Sequence, residues 1–389
     1  MAVRRKRTHA LIIFLLFVVY FFIAARPIPH EIVLAPNWIN SLDVDVSGEQ
    51  ESSLVVFNSH SIRQTDRRLL PFTLGDHFGY VDMSGQFALN RIKTSEIYLG
   101  GRFWSEYQAE PSSIEIKNTS GDTITLIENS RGYPILLDNR VFILGSDQNE
   151  LSEIGPNGNV LWTYEFGAPL TCIDAASGLV LTGSIDGKVE VLDSKGERIF
   201  DFDPGGSRYE VILGCAFSQN GSRFGIISGI EPQRFLLFER AGDGEYKVIH
   251  HEFLETGFRR PVHILFIDED RRVIFEREGG INCYNIRSRR GIFIPLDGKI
   301  AAIDYLGDQG YFFLITSNSP GQNELIGIKF PQDRRFLFSG FTSTRDMVFL
   351  RAPFRSNDVF LDRIISEGSP STLIIGGGTA LVSMNLEER

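Results

Sequence analysis

The sequence predicts an all-β fold: a seven- or eight-bladed β-propeller of four-stranded blades, preceded by one N-terminal transmembrane helix. Three observations carry this expectation. The chain is rich in strand aromatics and turn glycines, a four-strand unit recurs along it, and an uncharged apolar run follows four N-terminal cations.

Composition sets the class. Of 389 residues, 42% are hydrophobic and 23% charged, ordinary values for a chain that buries a core. The 31 Phe and 38 Gly suit many short strands, because aromatic rings pack well on pleated surfaces and glycine adopts the backbone angles of tight turns. The formal net charge is -10 although Arg4, Arg5, Lys6 and Arg7 stand together ahead of the apolar run. Without those four the body of the chain is more acidic still. It repels a phosphate backbone, so nucleic acid is not an expected partner.

The apolar run ALIIFLLFVVYFFIAA, Ala10 to Ala25, is closed by Arg26, Pro27 and Pro29. From Arg7 to Arg26 a helix would extend about 27 Å, enough for a bilayer core if the arginines snorkel. No A-x-A pattern closes the run, since Ile23 and Phe22 stand two residues before Ala25 and Ala24, and no lipoprotein cysteine follows it. The expectation is an uncleaved signal anchor, with a cleaved signal peptide as the alternative. The chain then divides into a cytoplasmic basic tail (1–9), a transmembrane signal anchor (10–25), a tether (26–53) and a propeller domain (54–389). By the positive-inside rule the N-terminus is cytoplasmic and the propeller extracytoplasmic, periplasmic if the source is bacterial.

The repeat argues for the propeller. Pro169 to Phe202 consists of four short strand-like runs broken by SG, DG and KG turns, and the next two units repeat that order. Gly85, Gly121, Gly158 and Gly196 fall at spacings of 36, 37 and 38, and later turns lie near Gly244, Arg290 and Arg334. Units of this length with four strands match propeller blades, while the two-residue alternation of KVEVLD excludes a helical solenoid. Seven turns and one further hairpin, TLIIGGGTALVSMNL, leave seven or eight blades open. The early strand SLVVFNS, Ser53 to Ser59, is expected to join the incomplete last unit and close the ring.

These residues resemble two repeat families. Val211 to Gly229, VILGCAFSQNGSRFGIISG, is similar to the inner strands of a WD-type repeat, with Asn220 and Gly221 at the turn. Glu150 to Gly167, ELSEIGPNGNVLWTYEFG, resembles the pyrroloquinoline-quinone-like repeat, with Gly158 and Trp162 at the positions of its turn glycine and tryptophan; Leu179 to Glu197 is similar to both. The Trp-Asp and Gly-His pairs of WD repeats are missing, Leu192 with Asp193 or Tyr284 with Asn285 standing in place of the former. Quinone-dependent dehydrogenases of this fold hold their cofactor beside adjacent cysteines, a pair this chain lacks. The resemblance therefore implies a non-enzymatic propeller that presents loops and edges to protein partners, as in the bacterial outer-membrane protein assembly machinery.

The search for chemistry assigns no catalytic residue, no cofactor-binding residue and no metal ligand, and no cofactor is expected. Cys172, Cys215 and Cys283 read as buried structural thiols, with a Cys172–Cys215 pairing left open should their strands adjoin. Asp43, Asp45, Ser47 and Gly48 mimic the start of a calcium loop, but Leu54 stands where a bidentate Glu is required. GSIDG, Gly183 to Gly187, reads as a hairpin turn, and Gly376 to Gly378 as a turn rather than a phosphate cradle. His250 and His251 are neighbours on a strand and point to opposite faces. The pairs Arg259–Arg260, Arg271–Arg272, Arg289–Arg290 and Arg334–Arg335 are expected at solvated turns, the last three crowding one rim, with an anion-binding patch as the functional alternative. Asn118-Thr119-Ser120 and Asn220-Gly221-Ser222 fit a glycosylation acceptor pattern.

The expected function is a membrane-anchored, extracytoplasmic protein-interaction scaffold. The alternative is a hydrolase or lyase using acids around the propeller channel.

Overall fold

A computed structural model describes residues 13–20, 32–43, 55–56, 69–109, 111–128, 130–242, 244–254, 257–306, 311–318, 322–329, 334–337, 347–349 and 372–388. By compactness the chain divides into two units, one of Met1–Ala35 with Leu386–Arg389 and one of Pro36–Asn385. The first contains a helix over residues 13–20. Its apolar side chains from Ile13 to Tyr20 are largely exposed. Among the described residues no helix is long and apolar enough to cross a membrane; the rest of the predicted span, residues 10–12 and 21–25, lies outside them.

The second unit is an eight-bladed propeller. Strands β1 (Ile32–Ser41) and β2 (Val55–Val56) precede the first complete hairpins. Blade 1 is β3 (Leu69–Leu74), β4 (His77–Asp82) and β5 (Phe87–Ile92). Blade 2 is β6 (Glu96–Leu99), β7 (Phe103–Tyr107), β8 (Ser113–Asn118) and β9 (Thr123–Glu128). Blade 3 is β10 (Gly132–Leu137), β11 (Arg140–Gly145), β12 (Glu150–Ile154) and β13 (Val160–Glu165). Blade 4 is β14 (Leu170–Ala176), β15 (Leu179–Ser184), β16 (Val189–Leu192) and β17 (Arg198–Phe202). Blade 5 is β18 (Tyr209–Phe217), β19 (Arg223–Ile230), β20 (Gln233–Arg240) and β21 (Tyr246–Leu254). Blade 6 is β22 (Ile264–Ile267), β23 (Arg272–Arg277), β24 (Gly280–Asn285) and β25 (Arg290–Pro295). Blade 7 is β26 (Lys299–Leu306), β27 (Tyr311–Asn318), β28 (Gln322–Lys329) and β29 (Arg334–Leu337). Blade 8 combines β30 (Met347–Phe349), β31 (Thr372–Gly377) and β32 (Ala380–Glu388) with β1 and β2, in the order β2-β1-β32-β31-β30.

Blade 8 takes in residues from the stretch read as a tether. Residues 32–41, assigned to the tether, are strand β1, and residues 55–56 of the expected closing strand lie beyond it at the edge. Pro36 lies within β1 but outside its two-residue pairing with β2, which involves Trp38 and Ile39. Closure by both ends of the chain stands, with β1 as the strand that pairs with the C-terminal hairpin.

The seven turns counted in the sequence also find their meaning here. Each is the hairpin that leads into the outermost strand of blades 1 to 7. Blade 8 has no such hairpin because its outer strand comes from the opposite end of the chain, so seven turns accompany eight blades.

The core lies between blades rather than within them. One cluster joins Leu181, Val191, Phe217, Phe224 and Phe238 of blades 4 and 5. Another joins Phe235 and Leu237 of blade 5 to Val273 and Phe275 of blade 6, where the Phe235 and Phe275 rings stack at 4.0 Å. Trp38, Leu70, Phe72, Val81, Ile374 and Leu381 fill the space between blades 8 and 1. Inner strands such as β14 and β18 touch each other near the axis, while β16, with four consecutive buried residues, is packed on both faces. That two-sided burial explains the demand for phenylalanine. A flat apolar ring fills the wedge between two sheets and has no polar atom to satisfy.

Candidate functional site

Two rims and an outer wall bound the propeller. One rim carries the hairpins that lead into the outer strands together with the turns after the inner strands; we call it the hairpin rim. The opposite one, the crossover rim, carries the second-to-third turns and the blade-to-blade connections.

On the hairpin rim the turn glycines are explained by two demands at once. Gly85, Gly121, Gly158 and Gly196 have φ of 88°, 95°, 78° and 78°. The last two also press on the outer strand of the preceding blade: a Cβ at Gly196 would stand 2.5 Å from the Trp162 ring, and one at Gly158 would stand 2.8 Å from the Leu126 carbonyl oxygen. Asp82, Asn118 and Asp193 open three of these turns, and each side-chain oxygen accepts two backbone N–H bonds at 2.9 Å or less. The turns after the inner strands of blades 3 to 6 are chained around the channel mouth. Gly178 N–H donates to Asp138, Ser177 Oγ to the Gln219 carbonyl, and Gln219 N–H to the Asp270 carboxylate at 2.9 Å.

The crossover rim gathers charge at blades 4 to 6. Glu231 (φ 61°) receives Arg208 at 3.3 Å and Arg259 at 3.0 Å. These arginines come from the connections on either side of blade 5. Arg260 is spent differently: both its terminal nitrogens hold buried Glu276, at 3.1 and 2.5 Å.

The buried carboxylates hold the scaffold together. Glu153 takes Arg140 through two nitrogens at 2.8 and 2.6 Å and the Trp162 indole N–H at 2.6 Å. Glu190 takes the Tyr164 hydroxyl at 3.0 Å and Arg198 at 3.2 Å, joining blade 3 to blade 4. Asp174 of blade 4 accepts the Phe217 N–H of blade 5 at 2.6 Å. Burial is tolerable for each because its lone pairs are occupied.

The two histidines do point apart. His250 lies half-buried across the seam between blades 5 and 6, its ring stacked on Tyr284 at 4.0 Å, whereas exposed His251 meets the edge of Phe253. His250 Nε2 is 3.7 Å from Glu252, which accepts Asn282 Nδ2 at 2.8 Å. Burial, and in smaller measure the neighbouring His251, pull the His250 pKa down, while Glu252 opposes them. The ring is therefore neutral at pH 7.

The remaining sequence candidates resolve as follows. Cys172, Cys215 and Cys283 are free thiols; Cys283 is buried and the other two are half-buried on packed strands β14 and β18. Ser184 and Asp186 of GSIDG hydrogen-bond within a hairpin whose Gly187 has φ 88°, and Gly378 (φ 63°) turns β31 into β32. Asp43 bonds Ser41 Oγ at 2.6 Å, while Asp45 to Leu54 lie outside the described residues. Among the described residues no group of His, Cys, Asp and Glu is placed to hold a metal ion. The arginine pairs at 271–272, 289–290 and 334–335 all fall on the hairpin rim of blades 6 and 7, whereas 259–260 falls on the opposite rim.

Sequence reasoning missed the outer wall. Ile124 and Leu126 of β9, Val160 and Leu161 of β13, Val248 and Phe253 of β21 and Phe293 of β25 are between 43% and 57% exposed. Strand β13, whose exposure alternates in its second half but starts with two exposed aliphatics, carried the available signal.

Comparison with known proteins agrees with this architecture. The chain belongs to a family described as beta-propeller protein, which matches residues 1–349. It is 26% identical over 304 residues to an uncharacterized protein of Treponema pallidum (strain Nichols), covering 78% of this chain and 79% of that one. Among solved structures it is similar to BamB from Moraxella catarrhalis, with a TM-score of 0.53 at 12% identity over 91% of this chain and 100% of that chain. It is also similar to a chain of the mitotic checkpoint complex, with a TM-score of 0.51 at 9% identity over 74% of this chain and 88% of that chain. At these identities the structural likeness concerns the fold.

Proposed function

We propose that this member of the beta-propeller protein family is a membrane-anchored, extracytoplasmic scaffold that holds protein partners on the outer wall and rims of its blades. The observation that carries the reading is the row of half-exposed aliphatic and aromatic side chains on outer strands β9, β13, β21 and β25. Outer strands also present a backbone edge, and apolar side chains beside such an edge invite another chain to cover them. The buried carboxylates fit the same reading, since those named above are engaged in joining strands and blades.

Tethering is supported by the N-terminal cations, by the uncharged run Ala10 to Ala25 and by the exposure of its helical portion, residues 13–20. Such a face is stable in a bilayer and unfavourable in water. The neighbours fit a scaffold, one of them being a component of a checkpoint complex.

Crosslinking of the full chain in native membranes, followed by identification of the captured proteins, tests the scaffold. Reproducible recovery of a protein crosslinked through the outer strands is expected; recovery of none would remove the reading. Topology is tested separately: protease added to the non-cytoplasmic side digests the propeller, and full protection would contradict the orientation.

A further inference from the structure

The chain contains two Asn-Gly pairs, Asn157-Gly158 and Asn220-Gly221. An asparagine followed by glycine can lose its amide, because no Cβ shields the following backbone nitrogen from the side-chain carbonyl carbon. The first pair lies in the outer hairpin of blade 3, the second in the turn after the inner strand of blade 5. Their backbones are alike. Gly158 has φ 78° and donates its N–H to the Gly155 carbonyl at 3.0 Å; Gly221 has φ 67° and donates to the Ser218 carbonyl at 3.0 Å.

The two pairs differ in what else holds them. Asn220 Oδ1 accepts the Ser222 N–H at 2.9 Å, the Ser222 hydroxyl at 2.6 Å and the Ser218 hydroxyl at 3.1 Å. The Tyr246 hydroxyl donates to the Gly221 carbonyl at 2.6 Å, and Gly221 is buried. Burial pushes the Tyr246 phenol up to about 12, so it stays a donor in mild alkali. To reach the Gly221 nitrogen, the Asn220 side chain must leave three hydrogen bonds while a buried phenol pins the peptide that has to move. Asn157, by contrast, is exposed, and its side chain makes no hydrogen bond among the described residues. Its hairpin is pinned ahead of the pair, where the Pro156 carbonyl accepts Thr125 Oγ1 at 2.6 Å.

We propose that Asn157-Gly158 is a self-modification site, at which the asparagine becomes aspartate and isoaspartate while Asn220-Gly221 is held unreacted. The Gly158 nitrogen gives its proton to solvent hydroxide and forms a bond to Asn157 Cγ. The bond from Cγ to the side-chain nitrogen breaks, ammonia leaves, and a succinimide remains. Water then opens the ring. Attack at Cγ restores the main chain as aspartate, whereas attack at the backbone carbonyl carbon leaves the chain running through Cβ and Cγ as isoaspartate. Either product adds a carboxylate to the hairpin that leads into half-exposed Val160 and Leu161.

Isoaspartate also inserts one main-chain carbon into a hairpin closed at both ends, by the Gly155 N–H on the Asn159 carbonyl at 2.8 Å and by Thr125 on Pro156. Gly158 already lies against β9, where a Cβ would stand 2.8 Å from the Leu126 carbonyl oxygen. The lengthened turn cannot keep all three contacts, and the hairpin lifts from blade 2.

The test incubates the full chain in detergent at mildly alkaline pH and follows each Asn-Gly peptide by mass spectrometry, with electron-transfer fragmentation to separate isoaspartate from aspartate. Asn157 is expected to convert at least about tenfold faster than Asn220, with isoaspartate the larger product. In denaturant the two rates should converge, because the difference belongs to the fold. Equal rates in the folded chain, a difference that persists in denaturant, or conversion to aspartate alone would overturn the proposal.

The variant Ser222→Ala with Tyr246→Phe should speed conversion at Asn220 at least about threefold and leave Asn157 unchanged. No change at Asn220 would overturn the assignment of its protection to these bonds. Hydrogen exchange separates the two products. Asn157→Asp adds the charge at native chain length and should keep the β9 and β13 amides as protected as in fresh protein, whereas the aged chain exchanges faster there. Equal protection in aged and fresh chains would overturn the unseating of the hairpin.

Discussion

Trp38, in the first strand of the ring, donates its indole N–H to the carbonyl of Met83 at 2.9 Å. Met83 lies in the outer hairpin of blade 1, so this contact joins blade 8 to blade 1. The neighbouring Asn40 Nδ2 reaches the Gly85 carbonyl of the same hairpin at 2.7 Å. It is the closing instance of a relationship repeated around the ring, in which the outer hairpin of one blade rests on the outer strand of the blade before it. Trp162 and the Gly196 turn stand in that relationship between blades 3 and 4.

Trp38 is fully buried and fills the joint between the two ends of the chain. Trp38→Ala should therefore cost about 4 kcal/mol, and Trp38→Phe distinctly less, because the ring volume is largely kept while the hydrogen bond is lost. Denaturant unfolding of the full chain in detergent measures both. Equal losses would mean that the hydrogen bond, and not the packing, carries the joint.

Gly196→Ala combines a positive φ with a collision against the Trp162 ring, and should cost about 3 kcal/mol. Gly205 has φ 58° with nothing within 4 Å of a Cβ, so Gly205→Ala bears backbone strain alone, about 1 kcal/mol. Thermal melts of the two variants should differ accordingly.

Arg140 and Glu153 are both nearly buried, and Arg140→Ala would leave the carboxylate with only Trp162. A loss of about 3 kcal/mol is expected. The double variant Arg140→Met with Glu153→Gln keeps an acceptor for Trp162 and should recover at least half of that loss, as read by denaturant midpoints.

His250 makes the seam between blades 5 and 6 sensitive to acid. Its folded pKa is lowered from the ordinary 6.5, so the fold binds the neutral ring in preference. The contribution is present above 6.5 and is lost as pH falls through the lowered folded value, because the unfolded chain takes up the proton first. His250→Phe keeps a ring against Tyr284 but cannot titrate. Its melting temperature should fall less steeply than that of the native chain as pH drops below 6.5, and parallel curves would assign the acid sensitivity elsewhere.

The repeat period, the turn glycines and the strand alternation were legible from sequence because they are local. A glycine with positive φ and an Asp or Asn two residues before the next turn N–H leave their mark within five residues, as at Asp193 to Glu197. The outer wall was harder to read, since Val160 and Leu161 look like core residues until the strand is known to be outermost. The four arginine pairs gave positions along the chain but not their partners: Arg260 is committed to Glu276, while Arg290 is exposed on the opposite rim.

By itself the sequence determined an all-β propeller of about 40-residue blades and an apolar N-terminal run behind four cations. The tertiary structure decided that there are eight blades and that residues 32–41 belong to the last of them. It also decided which carboxylates are spent on holding blades together. The reason is physical. Periodicity reports a residue's own backbone, whereas ring closure, rim and ion pairing depend on contacts such as Asn37 with Asn385, made between residues at opposite ends of the chain.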